Sequence, residues 1–150
     1  MQTCRVICCE KTGRWAFALR SVVPAAQSVL CETRTLAECA ARLQESPASL
    51  VVVEATSENW PQVCRWLSLQ TDQFAQMRAV VVGSSSAGAA EAVLRTAGAH
   101  HVVDSIAGLG RLTRWISRHI RQVPHSQPSA RQWVWARMPW PPRESTKRQP

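Results

Sequence analysis

The chain alternates between two hydrophobic rhythms. Short, nearly continuous apolar runs occur at residues 4–9 (CRVICC), 28–32 (SVLCE), 49–53 (SLVVV), 78–83 (RAVVVG) and 100–104 (HHVVD). Apolar runs of that length, rich in β-branched residues, belong to strands covered on both faces. Between them apolar residues recur at i, i+3, i+4 and i+7, which predicts amphipathic helices. Trp15, Ala18, Leu19 and Val22 form one such set, Leu36, Cys39, Ala40 and Leu43 another, and Ala90, Val93, Leu94 and Ala97 another. A shorter set, Val63, Trp66 and Leu67, follows Asn59 and Pro61, which suit a helix cap and a first helical turn. Serines 84–86 offer a cap to the next helix, and Gly98 fits the left-handed position just past its end. One last helix is expected over residues 106–121, with Leu109, Leu112, Ile116 and Ile120 along its apolar side.

Strand and helix in strict alternation, joined by short links, imply a parallel sheet with helices on both faces. Right-handed crossovers then leave only a few topologies. The expected class is therefore α/β, a three-layer domain around a five-stranded parallel sheet. No internal repeat is visible. At 150 residues, 45% of them hydrophobic, the chain suits one such domain with an ordinary core.

Charge divides this picture in two. The net charge of +8 is shared equally between residues 1–122 and the much shorter segment 123–150. That segment also carries Trp133, Trp135 and Trp140, six of the nine prolines and no cysteine. A boundary is expected at Gln122, between a folded body and a basic tail rich in proline and tryptophan. Arg131, Trp133, Trp135 and Arg137 alternate, so an extended strand would put them on one side. Trp133 and Trp135 are expected to dock on the body or on a partner.

Arg111, Arg114, Arg118 and Arg121 recur at helical spacing on the side of the last helix opposite its apolar residues. Like charges so placed repel one another, and an anionic partner would relieve the repulsion. The alternative is a solvated helix face.

Several chemistries find no support. No P-loop or Gly-x-Gly-x-x-Gly spacing follows the first strand, where EKTGRW holds a single glycine. A flavin or nucleotide site at the sheet's carboxyl edge would rest on position alone. Six cysteines, none in a Cys-x-x-Cys spacing, read as reduced core residues. Together with the lack of a signal-like N-terminus and of any apolar run of about 18 residues, they lead to an expected cytoplasmic location. His100 and His101 are expected at the surface rather than on a metal. Neither a metal nor a cofactor is expected.

Three stretches carry a resemblance. SLVVVEAT (residues 49–56), RAVVVGSSS (78–86) and LRTAGAHHVVDS (94–105) follow the order and pattern seen in the receiver domain of bacterial response regulators. The last stretch resembles that family's end of the fourth helix and fifth strand. The match covers about residues 4–122. It implies a flavodoxin-like sheet in the order 2-1-3-4-5, and a phosphoacceptor pocket at the carboxyl edge.

Carried over position by position, that pocket is altered throughout. The acceptor aspartate becomes Glu54, and the paired acids after the first strand become Glu10 and Lys11. The switch hydroxyl falls on Gly83, with Ser84 one place later, and the lysine after the fifth strand falls on Ser105. A magnesium site wants several carboxylate oxygens, and Lys11 removes one while adding a cation. Without the lysine, a transferred phosphoryl group loses a stabilising charge. The resemblance therefore implies a non-enzymatic pseudo-receiver that signals or scaffolds through protein contacts, with Glu54 as a fixed negative charge paired with Lys11. Its partner would be another signalling protein, or a second copy docking through the last helix. Two other readings are a nucleic-acid-binding accessory protein that uses the arginine helix and the tail, and an atypical phosphoreceiver in a phosphorelay.

Overall fold

The computed structural model describes residues 5–27, 29–83 and 89–122. Five parallel strands form one sheet: β1 (Val6–Cys9), β2 (Leu30–Thr33), β3 (Leu50–Glu54), β4 (Arg78–Val82) and β5 (His101–Val103). Their order is β2-β1-β3-β4-β5, as the resemblance implied. Between and after them run α1 (Arg14–Val22), α2 (Leu36–Glu45), α3 (Trp60–Gln73), α4 (Ala89–Thr96), α5 (Ile106–Arg111) and α6 (Thr113–Gln122). A 3₁₀ turn at Pro24–Ala26 joins α1 to β2.

The side-chain period of the strands divides the core into two layers. Val6, Cys8, Leu50, Val52, Val80, Val82 and Val103 face α1, α5 and α6. Ile7, Cys9, Val51, Val53, Ala79 and Val81 face α2, α3 and α4. Cys8 and Cys9 thus point to opposite faces, both buried and both free thiols. Most of these side chains are fully excluded from water. At about 1.5–3 kcal/mol for each buried Val, Leu or Ile, the two layers dominate the stability.

Gly98 takes φ +119 beyond α4, as its position in the sequence suggested, and any Cβ there would collide with Thr71. The last helix departs from expectation. It breaks at Leu112, whose N–H bonds back to Leu109 O at 3.0 Å, while Thr113 Oγ1 donates to Gly110 O at 2.7 Å. Gly108 and Gly110 both weaken a helix interior, so the apolar period continues while the helix divides into α5 and α6. Asn59 is a second correction. It starts α3 but makes no side-chain cap bond, for a reason found at the sheet's carboxyl edge.

At the opposite, amino edge, Arg5 is 8% exposed and donates Nη1 to Ile120 O at 2.6 Å, near the end of α6. A cation suits the negative end of a helix dipole. No helix among the described residues is long and apolar enough to cross a membrane. The readings made for residues 123–150, including Trp133 and Trp135, and for serines 84–86 lie outside the described residues.

Candidate functional site

The carboxyl edge is built on Glu10, the first residue beyond β1. Its side chain turns inward and is 3% exposed. Oε2 accepts the Trp15 N–H at 2.9 Å and Oε1 the Ala16 N–H at 2.6 Å. These are first-turn amides of α1, which begins after Gly13, a residue with no side chain to cap them. Glu10 therefore does the capping from three residues upstream, with its charge at the positive end of the helix. The Cys8 thiol also approaches Oε1 at 3.7 Å, and burial followed by the Glu10 charge pushes that thiol far up.

Cations surround the same corner. Arg34 donates Nη1 to the Glu10 carbonyl at 3.1 Å and Nη2 to Glu32 Oε2 at 3.0 Å. Arg20 meets the other Glu32 oxygen at 2.7 Å. The hydrogen bond from Arg20, with the charges of both arginines, holds the Glu32 carboxyl below its usual range.

Glu54 ends β3, half-buried, and its Oε2 accepts the Lys11 backbone N–H at 3.3 Å. The expected Glu54–Lys11 ion pair is not among those joining the described residues. The peptide N–H after Glu10 reaches Glu54, while the Lys11 side chain is exposed. Asn59 braces the loop behind it, accepting the Thr56 N–H at 2.6 Å and donating Nδ2 to the Glu54 carbonyl at 3.3 Å. That leaves the Asn59 side chain committed to the loop rather than to the N–H groups of α3.

Gly83, just past β4, closes the corner with φ +79. A Cβ there would stand 3.5 Å from Glu54 Cγ and 3.7 Å from Trp15 Nε1. Trp15, 2% exposed, is thus a wall of the site that the sequence reading assigned only to the core. Ser105 lies two residues past β5, and its hydroxyl accepts the Gly108 N–H at 3.3 Å as the cap of α5. The structure thus brings Glu10, Lys11, Glu54 and Gly83 together, sets Ser105 to capping α5, and leaves Ser84 outside the described residues. Among the described residues, no group of three or more His, Cys, Asp or Glu is gathered to hold a metal ion.

The arginine stripe lies elsewhere. Arg114, Arg118 and Arg121 of α6, all exposed, line a shallow cavity of about 670 Å³ with Thr113, Ser117 and Gln122. Arg111, on α5 across the break, is exposed but does not line it. Among the described residues, no acidic side chain lines this cavity and none of the four arginines joins an ion pair.

A second cluster escaped the sequence reading. Trp115 of α6 meets the His101 ring edge-on at 4.7 Å and stacks near His119 at 6.4 Å, with His100 at 6.2 Å. His119 donates Nε2–H to Ala48 O at 3.0 Å. Burial is the main reason all three imidazoles sit below their ordinary value, and Arg78 or Arg95 adds to it. The expectation of plain surface histidines is therefore corrected: His100 and His101 are half-buried and pack on Trp115. The signal in the sequence was a histidine pair opening an apolar strand, with a later helix carrying tryptophan and a third histidine.

Solved structures share this architecture. An atypical orphan response regulator, described as revealing a phosphorylation-independent regulatory mechanism, is 17% identical, with a TM-score of 0.60 over 76% of this chain and 95% of its own. The signal receiver domain of a protein described as a Luxo repressor, from Vibrio parahaemolyticus, is 13% identical, with a TM-score of 0.61 over 81% and 92%. A protein described as pilus assembly-related, from Burkholderia pseudomallei, is 13% identical, with a TM-score of 0.61 over 82% and 95%. Identities this low establish the receiver-like fold and nothing finer. No protein-family model matches the chain, and no curated protein matches it by sequence.

Proposed function

We propose that this chain is a pseudo-receiver, a non-enzymatic module that signals or scaffolds through protein contacts. The observation that carries the reading is the engagement of Glu10. Both of its carboxylate oxygens hold backbone N–H groups of α1. In a receiver pocket this position would offer oxygens to magnesium. Here the same carboxylate maintains the helix, and Glu54 supplies a permanent negative charge beside it. The edge then has a fixed electrostatic state, and output depends on partner surfaces rather than on phosphoryl transfer. The exposed arginines of α6 are the surface this reading assigns to a partner.

The test is to immobilise the full chain, identify what it retains, and repeat the capture with acetyl phosphate and Mg²⁺ present. Retention should be the same in both conditions and should fall when Arg114, Arg118 and Arg121 are changed to glutamine. Retention that depends on the phosphodonor would overturn the reading. The cavity between those arginines also favours a second reading, a nucleic-acid-binding accessory protein. That reading requires RNA or DNA binding that weakens steeply with salt, because phosphate contacts release counterions.

A further inference from the structure

Two buried thiols meet where β1 passes under α2. Cys9 is the last residue of β1, immediately before Glu10, and its side chain enters the core layer beneath α2. Cys39, in the first turn of α2, enters the same layer from above. Both are free thiols, and they hydrogen-bond to one another. The Thr33 hydroxyl stands beside them, on the residue of β2 that is in register with Cys9.

Their surroundings give the two sulfurs different tasks. Hydrogen bonding with Cys39 brings the Cys9 thiol down to about 7 against the opposing effect of burial, and Thr33 adds to the lowering. A large share of Cys9 is then thiolate near neutral pH, and the thiolate is the attacking form. The same hydrogen bond pushes Cys39 far up, reinforced by burial and by the Cys9 charge. Cys9 is 6% exposed and Cys39 0%, so Cys9 is the one a small oxidant reaches. The other described cysteines lack this arrangement. Cys8 points into the opposite layer, Cys31 is in register with Ile7, two residues back toward the amino edge, and Cys64 lies on α3 in a groove against α4.

We infer that Cys9 and Cys39 are an oxidisable pair that a hydroperoxide converts to a disulfide. The Cys9 sulfur attacks the outer peroxide oxygen and the O–O bond breaks. The leaving oxygen takes up the proton that Cys9 had released and departs as an alcohol, or as water from hydrogen peroxide. Cys9 is then a neutral sulfenic acid, so Cys39 is freed from the charge beside it. The Cys39 sulfur attacks the Cys9 sulfur, the S–O bond breaks, and the hydroxide leaves as water with the Cys39 proton. Two thiols and one hydroperoxide thus become a disulfide, an alcohol and water, with two electrons passing from sulfur to the peroxide. The link ties the carboxyl end of β1, next to Glu10, to the start of α2. It stands whether or not the pseudo-receiver reading does.

The experiment exposes the fully reduced full chain to hydrogen peroxide, blocks the remaining thiols with N-ethylmaleimide in denaturant, and maps linked peptides by mass spectrometry without reduction. A Cys9–Cys39 link is expected, reversed by dithiothreitol. Its rate of formation should rise with pH about a midpoint near 7. Cys39→Ala should abolish the link and leave a sulfenic acid on Cys9, which dimedone captures. Dimedone present during oxidation of the parent should mark Cys9 as well, so the intermediate is also read without a substitution in the core. The proposal fails if both thiols stay reduced, if the link joins a different pair of cysteines, if Cys9 proceeds to sulfinic acid without a link, or if dimedone marks other cysteines and not Cys9.

Discussion

Glu54 and Lys11 meet through the Lys11 backbone N–H, 3.3 Å from Glu54 Oε2, and not through the lysine ammonium. The peptide groups that follow β1 therefore position the carboxylate, and no side-chain charge has to be present to hold it. Lys11→Ala is accordingly expected to leave the Glu54 geometry intact, with stability changed by no more than about 0.5 kcal/mol. Urea unfolding measures this, and a loss several times larger would mean that the ammonium matters.

Glu10 is expected to behave as a structural residue. Glu10→Ala strips acceptors from two buried first-turn amides of α1 and should cost about 1–3 kcal/mol. Glu10→Gln keeps one carboxamide oxygen and should recover part of that loss. Urea midpoints of the three proteins test the order, and equal stability of all three would remove Glu10 from its capping role.

Gly83 is held at φ +79, a conformation that side chains disfavour. Gly83→Ala should cost about 1–2 kcal/mol through the backbone alone. The added methyl also falls 3.5 Å from both Ala55 O and Glu54 Cγ, an ordinary contact that adds little. Restoring a hydroxyl here as Gly83→Thr should therefore destabilise the fold rather than repair a pocket, as thermal unfolding can verify.

The histidine seam predicts a pH dependence of defined sign. His100, His101 and His119 all lie below the ordinary value of 6.5 in the folded chain. The unfolded chain then binds more protons than the folded one as pH falls through 6.5, so the native state loses stability over that range. Above it this contribution is fully present. Glu32, held below 4.5, adds a separate loss only at lower pH. Urea unfolding between neutral and mildly acidic pH should show the decline, and His101→Phe with His119→Gln should reduce it to the part that His100 contributes. A stability that is level across this window would contradict the seam's neutral state.

What the sequence made legible, and what it did not, follows from how local each signal was. The strands were legible because Val51, Val52, Val53, Val80, Val81 and Val82 belong to runs that only a doubly covered sheet accommodates. Gly98 was legible because a left-handed turn selects glycine by its own backbone. The division of the last helix was not, since Leu109, Leu112, Ile116 and Ile120 keep a helical period through the break. Asn59 suited a cap by residue type, but the Thr56 N–H and the Glu54 carbonyl compete for the same side chain. Glu10 was recognised as a position of interest, while its engagement with α1 depended on the chain folding back over Gly13. Trp15 and the Trp115 seam are contacts between elements, which periodicity cannot register.

The arginines of α6 are opposite its buried residues, so Arg114→Gln, Arg118→Gln and Arg121→Gln together should leave stability within about 1 kcal/mol of the parent. Association with an anionic partner should weaken, and by more at low salt than at high salt, because screening already reduces exposed charge contacts. Isothermal binding measurements at two salt concentrations decide this, and equal affinity at both would reduce the stripe to a solvated face.

The central claim is that the carboxyl edge has a fixed charge and takes no phosphoryl group. Intact mass spectrometry of the full chain after exposure to acetyl phosphate and Mg²⁺ tests it most directly. The predicted result is an unmodified mass for the parent and also for Glu54→Asp, because Glu10 remains bound to α1 and Lys11 and Ser105 are unchanged. A phosphoryl adduct located on residue 54 in either protein would contradict the account.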